Sequence, residues 1–268
     1  MKFYYYLFLF LLFSCNTDKD YDAFENKLKN LLKSHKGTFA IALKNMNDGK
    51  SVLINENEVF HAASTMKTPV MIEFFKKINE GKISSDDSLL INNEFSSIVD
   101  GSKFELSSFD DSDEDIYENL GKYISTDKLV YDMITRSSNF GTNLLIDYLN
   151  AEDVNNTMKN IGAKNMKVLR GVGDLKAFDL GLSNTTTAAD LLIIYEKLAM
   201  GEIVNNESSN KMIRILKDQV YNDIIPKYLP EKVEVAHKTG WISGVRHDSG
   251  IVYLSLIHIS EPTRHRYI

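Results

Sequence analysis

Strand-like segments stand near the two ends of this chain, and most of what lies between them patterns as helix. Few folds accommodate that order. Residues 38–55, TFAIALKNMNDGKSVLIN, set apolar runs on both sides of Asn47-Asp48-Gly49. That is a strong hairpin signal, because these turn residues tolerate the backbone a tight reversal needs. Toward the other end KVEVAHKTG alternates like a strand, and DSGIVY reads as its antiparallel partner. A helix is expected to start near Ser64, with Val70, Met71, Phe74, Phe75 and Ile78 on a buried face and NEGK as its stop. Pro69 is close enough to that start to be tolerated. Helical patterning returns in DKLVYDMITR, TNLLIDYLN, NTTTAADLLIIYEKLA and SNKMIRILKDQV, with Asp190 a capping-box partner of Thr187. Residues 93–127, with DDSDED, read as a solvated surface excursion. The order implies an α+β fold: an antiparallel sheet that gathers both chain ends, flanked by helices, plus a helical lobe. No repeat or linker divides it, so one cooperative unit is expected.

Composition removes several classes of function. The net charge is −6 and no basic block occurs, which argues against nucleic acid as a partner. Cys15 is the only cysteine, so neither an internal disulfide nor a Cys-based zinc site can form. The six histidines show no close metal-ligand pairing, and no metal or organic cofactor is expected. His61, His237 and His247 read as hydrogen-bonded structural residues.

Both termini carry signals of their own. Lys2, the apolar run Phe3–Phe13 and Ser14 precede Cys15 as in an export signal; the run is too short to span a bilayer. LFSC resembles a bacterial lipobox, which would make Cys15 a diacylated first residue of an exported, membrane-anchored or periplasmic protein. LSLIHISEPTR, from Leu254 onward, looks like a translated sequencing adapter, so residues 254–268 are expected to be non-native. The expected division is 1–15 signal, 16–37 tether and helix, 38–253 catalytic domain, and 254–268 tail.

Three short segments could carry chemistry. Ser64 and Lys67 lie three apart at a helix start, on one face, where an amine can reach a hydroxyl. A serine needs a base to become a nucleophile, and lysine serves if burial or a neighbouring cation depresses its pKa. Ser137-Ser138-Asn139 sits at a break between two helices, where a hydroxyl can project into a cleft. Lys238-Thr239-Gly240 ends a strand; Lys238 is a candidate for the depressing cation and for charge-assisted contact with a carboxylate. Taken singly, each reads equally as a cap, a turn or a solvated strand end. S-x-x-K recurs at Ser125/Lys128 and Ser208/Lys211, and S-x-N recurs at Ser208-Ser209-Asn210.

Order, spacing and context together resemble the S-x-x-K, S-D-N and K-T-G signature of serine β-lactamases and penicillin-binding proteins, class A enzymes above all. The flanks FHAASTMKTPVM, MITRSSNFGTNLLI and HKTGWISGVRHDSGIVY carry it, and the similarity runs from about Thr38 to Tyr253. The resemblance implies a β-lactamase/D,D-peptidase-like fold lacking its last strand and C-terminal helix. It implies an acyl-enzyme on Ser64, with Lys67 as base and Ser137 relaying a proton to the departing nitrogen. Asn139 would hold a substrate amide, and Lys238 and Thr239 its carboxylate. Gly240 would let substrate lie along the strand. Backbone N–H groups of Ser64 and Trp241 would meet the oxyanion. The expected partner is a small β-lactam or a cell-wall peptide, bound by a monomer.

Two departures bear on the chemistry. Ser138 replaces the usual aspartate. In LRGVGDLKAFDLGLSN, Val172 stands where class A enzymes place the glutamate that activates the deacylating water. The nearest carboxylate is Asp174. Acylation is therefore expected to outrun hydrolysis. The alternatives are a peptidoglycan D,D-peptidase or esterase on the same fold, and a non-catalytic penicillin- or cell-wall-binding lipoprotein.

Overall fold

The computed structural model describes residues 17–254. The signal segment with Cys15 and the tail beyond Leu254 lie outside the described residues. The chain divides between Asn55 and Glu56 into two compact units.

In the first unit, helix α1 (Thr17–Lys33) precedes a hairpin of β1 (Ile41–Lys44) and β2 (Ser51–Ile54), with Ile41 opposite Ile54 and Lys44 opposite Ser51. The Asn-Asp-Gly turn forms as its residues dictate: Gly49 takes φ +73°, and its N–H donates to Asn45 O at 2.8 Å. Tyr21 ties helix to turn. Its hydroxyl donates to Asp48 Oδ2 at 3.1 Å and accepts from Asn45 Nδ2 at 3.0 Å.

The second unit begins with β3 (Phe60–His61), a 3₁₀ turn (Ala63–Met66) and helix α2 (Lys67–Asn79). Helix α2 is the axis of the core. Every residue from Lys67 to Phe75 is buried, so the helix is enclosed on all sides rather than on the one face its periodicity suggests. Short strands follow: β4 (Ser88–Leu90), β5 (Phe95–Ser96), β6 (Lys103–Phe104) and β7 (Tyr123–Ser125), pairing β4 with β7 and β5 with β6. Helices α3 (Thr126–Thr135), α4 (Asn139–Leu149) and α5 (Ala151–Ile161) come next and pack on α2. A loop with the short helix α6 (Leu175–Asp179) leads to β8 (Thr185–Thr186), which pairs with β3. Helices α7 (Ala188–Ala199) and α8 (Asn206–Lys217) precede the closing hairpin, β9 (Glu234–Ile242) and β10 (Val245–Tyr253). In that hairpin Ile242 faces Val245 and Lys238 faces Ser249, with Gly244 at φ +81° in the turn.

Two expectations need correction. Residues 93–127 are not simply a solvated excursion. Phe95 and Ile116 join the core, and the Phe140 ring meets Phe95 and Tyr117 at centroid distances of 5.5 and 5.0 Å. Asp111 and Asp113 are buried as well. The capping box at α7 forms by half. Asp190 N donates to Thr187 Oγ1 at 3.0 Å, but the Asp190 carboxylate takes the Asn165 N–H at 2.7 Å instead of turning back.

Candidate active site

The turn carrying Ser64 is held residue by residue. Ala62 N donates to Asn184 O at 2.8 Å, and Ala62 O accepts from Thr65 N at 3.1 Å and Thr65 Oγ1 at 2.6 Å. Between them Ala63 has φ +47°, a left-handed conformation that costs a residue with a Cβ about 1–2 kcal/mol. Ser64 is half-buried, and among the described residues its Oγ has no hydrogen-bond partner. The expected contact with Lys67 is therefore not a hydrogen bond here.

Lys67 is fully buried and donates elsewhere: to Ser137 O at 2.6 Å, Asn139 Oδ1 at 2.9 Å and Ser137 Oγ at 3.2 Å. Burial lowers its pKa to about 7, against the opposing pull of Asp111. Lys238, from β9, is equally buried, and its Nζ donates to Ser137 Oγ at 3.1 Å and Thr239 O at 3.0 Å. Burial, and then the Lys67 amine, hold Lys238 well below the usual lysine value, while Asp248 acts the other way. Two amines thus converge on one hydroxyl. Ser137 reaches that point through φ +62° at the break between α3 and α4. Its oxygen accepts from both lysines, which leaves its own proton to point away from them.

Strand β9 presses its backbone against the Ser64 turn. A Cβ on Gly240 would sit 3.1 Å from the N atoms of both Ser64 and Thr65. The glycine is there for this close approach, a reason the sequence alone did not supply. Thr239 is half-buried and Trp241 is exposed. Asn139 Nδ2 donates to Asp110 O at 3.1 Å, so one amide hydrogen remains for another partner.

Asp111 was hidden in the acidic run. Its carboxylate accepts from the N–H groups of Asn139 and Phe140 at 2.9 and 2.8 Å, and from Tyr117 Oη at 3.1 Å. It anchors the first turn of α4 from outside that helix, while Ser138 Oγ caps the same helix at Gly141 N, 3.1 Å away. Together they hold the motif whose usual aspartate is missing. A second buried group, behind β9, links His237 to Asp248 at 2.8 Å and Asn222 at 3.1 Å. His237 is thus the hydrogen-bonded residue expected of it.

Asp174 does not stand ready as a base. It is buried and accepts from Ser97 Oγ at 2.9 Å, Ile98 N at 2.9 Å and Ala177 N at 3.1 Å. Burial pushes its carboxyl up, but these donors and Arg170 outweigh that and leave it below the usual range. It caps α6 and pins the loop. Val172 is pinned too, its N–H and C=O both bonded to the Asn143 amide at 2.6 and 2.9 Å. Behind this loop lies a cavity of about 280 Å³ lined by Asn143, Arg170, Gly171 and Asp174 among others; Ser64, Lys67, Ser137 and Lys238 are not part of it.

The family model described as the beta-lactamase enzyme family matches residues 23–257. Beta-lactamase BRO-1 of Moraxella catarrhalis is 25% identical over 227 residues, which cover 81% of this chain and 67% of that protein. Among solved structures, PBP-A is 26% identical with a TM-score of 0.74, over 87% of this chain and 82% of that one. A leucine-to-glutamate variant of PBP-A, solved as an acyl-enzyme complex with penicillin G, matches at 26% identity and 0.74, over 87% and 83%. The beta-lactamase of Sphaerobacter thermophilus DSM 20745 has 22% identity and a TM-score of 0.72 over 85% and 82%, a likeness of fold alone.

Proposed function

The chain belongs to the β-lactamase enzyme family, and from that premise we propose that β-lactams acylate Ser64 and that the resulting ester is hydrolysed slowly. The observation that carries this reading is the convergence of two buried amines on Ser137 Oγ beside the Ser64 turn. With three acceptors around it, Lys67 is placed as an ammonium. On losing a proton it keeps two donors and gains a lone pair, and a pKa of about 7 makes that form abundant at neutral pH. Ser64 Oγ then bonds to the lactam carbonyl carbon as its proton passes to Lys67 Nζ. The C–N bond of the ring breaks, and the nitrogen takes the Ser137 proton, which the adjacent amines replace. Lys238 and Thr239 receive the substrate carboxylate, Asn139 its amide, and the N–H groups of Ser64 and Trp241 the oxyanion.

Turnover is the slow half. Val172 offers no carboxylate and Asp174 is committed to α6. Absence of a positioned general base costs ~10²–10⁴-fold. The same observation favours a second reading, a D,D-peptidase or esterase on this fold. The penicillin G acyl-enzyme of the PBP-A variant supports acylation in either case.

Fluorescent penicillin and a chromogenic cephalosporin decide between them. Stable labelling that disappears in Ser64→Ala, with slow colour release, is expected. D-alanine release from a cell-wall peptide would favour the second reading, and absence of labelling would overturn both. The same reading has the protein exported and tethered through Cys15, supported by the apolar run and Ser14 before it. Metabolic labelling with a palmitate analogue should mark the parent protein and not Cys15→Ser.

A further inference from the structure

The imidazole of His61 faces the backbone of the nucleophile turn. His61 Nδ1 lies 2.9 Å from Ala63 N, and since that N–H can only donate, Nδ1 is the acceptor. Ala63 is the residue directly before Ser64, buried, with φ +47°. An alanine does not rest in that conformation unaided, so something must fix it. The hydrogen bond from its own N–H to the ring two residues back supplies the constraint.

The ring is itself held in place. Residues Phe60 and His61 are paired with Thr186 and Thr185. The His61 carbonyl accepts from His247 Nε2 at 2.8 Å, and the His61 ring meets Phe178 of α6 at a centroid distance of 6.2 Å. Burial first, then Arg170 and His247, lower the His61 pKa, which favours the neutral ring, and the Ala63 N–H selects the tautomer that accepts at Nδ1. On the far side of the turn Gly240 closes against Ser64 N. A shift at Ala63 would therefore swing both the Ser64 N–H and its hydroxyl relative to β9.

We propose that His61 is a positioning residue for the acylation of Ser64: its Nδ1 holds Ala63 in the left-handed conformation that sets where Ser64 presents its N–H and Oγ. This rests on Ser64 being the acylated residue. It assigns His61 a role in the rate of bond formation rather than in contact with substrate.

The test separates the acceptor atom from the ring. His61→Phe keeps an aromatic ring against Phe178 and removes the acceptor. His61→Asn keeps an acceptor, because an asparagine side chain readily bonds the N–H two residues on. Stopped-flow labelling with fluorescent penicillin gives the non-covalent binding constant and the acylation rate constant separately. His61→Phe should lower the acylation rate constant by on the order of 10²-fold with binding little changed, and His61→Asn should stay near the parent. Adding Ala63→Gly to His61→Phe removes the conformational cost at residue 63 and should restore much of the rate. Equal losses in the Phe and Asn variants, no loss in either, or no restoration by glycine would overturn the proposal. Amide hydrogen exchange at Ala63, slow in the parent and His61→Asn but fast in His61→Phe, reads the contact without any acylation. Failure of the parent to label would count against the proposed function, while uniform exchange at Ala63 would count against His61.

Discussion

On the proposed reading, the side chain at residue 172 governs how fast the acyl-enzyme is lost. Val172 already has its backbone fixed at both ends by Asn143, so a longer polar side chain would start from a defined position. Val172→Glu should speed loss of the penicillin label by on the order of 10²-fold, with the labelling rate nearly unchanged; timed fluorescence of the labelled protein measures both. As the proposed base, Lys67 should set the pH dependence of the first half-reaction. With its neutral form as the proposed base, the acylation rate constant should rise with pH through about 7 and then level off. Loss of charge on Lys238, which burial and then the Lys67 amine hold well below the usual lysine value, should add a second, falling limb. Labelling rates between pH 5 and 10 should trace both limbs. A first limb lying several units from 7 would remove Lys67 from the role.

Helix α4 shows how an element can owe its start to a distant carboxylate. Asp111 bonds the N–H groups of Asn139 and Phe140, and anionic groups at a helix N-terminus also meet its dipole favourably. Asp111→Ala should cost about 1–2 kcal/mol by urea unfolding and slow labelling as well, since Ser137 and Asn139 flank the same turn. Asp111→Asn should recover part of the stability. Much of this element was legible in the sequence: the helix and the break before it at Ser137-Ser138-Asn139 follow from local periodicity and turn chemistry. Its anchor was not. A carboxylate within an acidic run reads as solvated because burial depends on N–H groups 28 and 29 residues away. The strand ending in Lys238-Thr239-Gly240 was equally legible, but the reason for Gly240 lies in the turn it touches. His61 read only as a hydrogen-bonded structural residue, because the left-handed backbone at Ala63 that meets its ring is not visible in the sequence.

For the whole molecule, the enclosed amines are a cost carried by the fold. Lys67 binds its proton less tightly when folded than when unfolded. The penalty is therefore complete below about pH 7 and is relieved as pH rises toward the ordinary lysine value. Over pH 7.5–10 the parent should gain up to about 1.4 kcal/mol of stability per pH unit relative to Lys67→Met. Unfolding titrations of the two proteins at several pH values would check this, and parallel curves would contradict it. The family fold was visible from three separated motifs because each is a local pattern, while the all-round enclosure of α2 emerges only from its neighbours. Two weakened bases held against a single oxygen take up a proton most readily when an anion lies beside them. An arriving carboxylate should draw a hydrogen ion out of the surrounding buffer, so the heat of docking would change with the buffer's own enthalpy of ionisation.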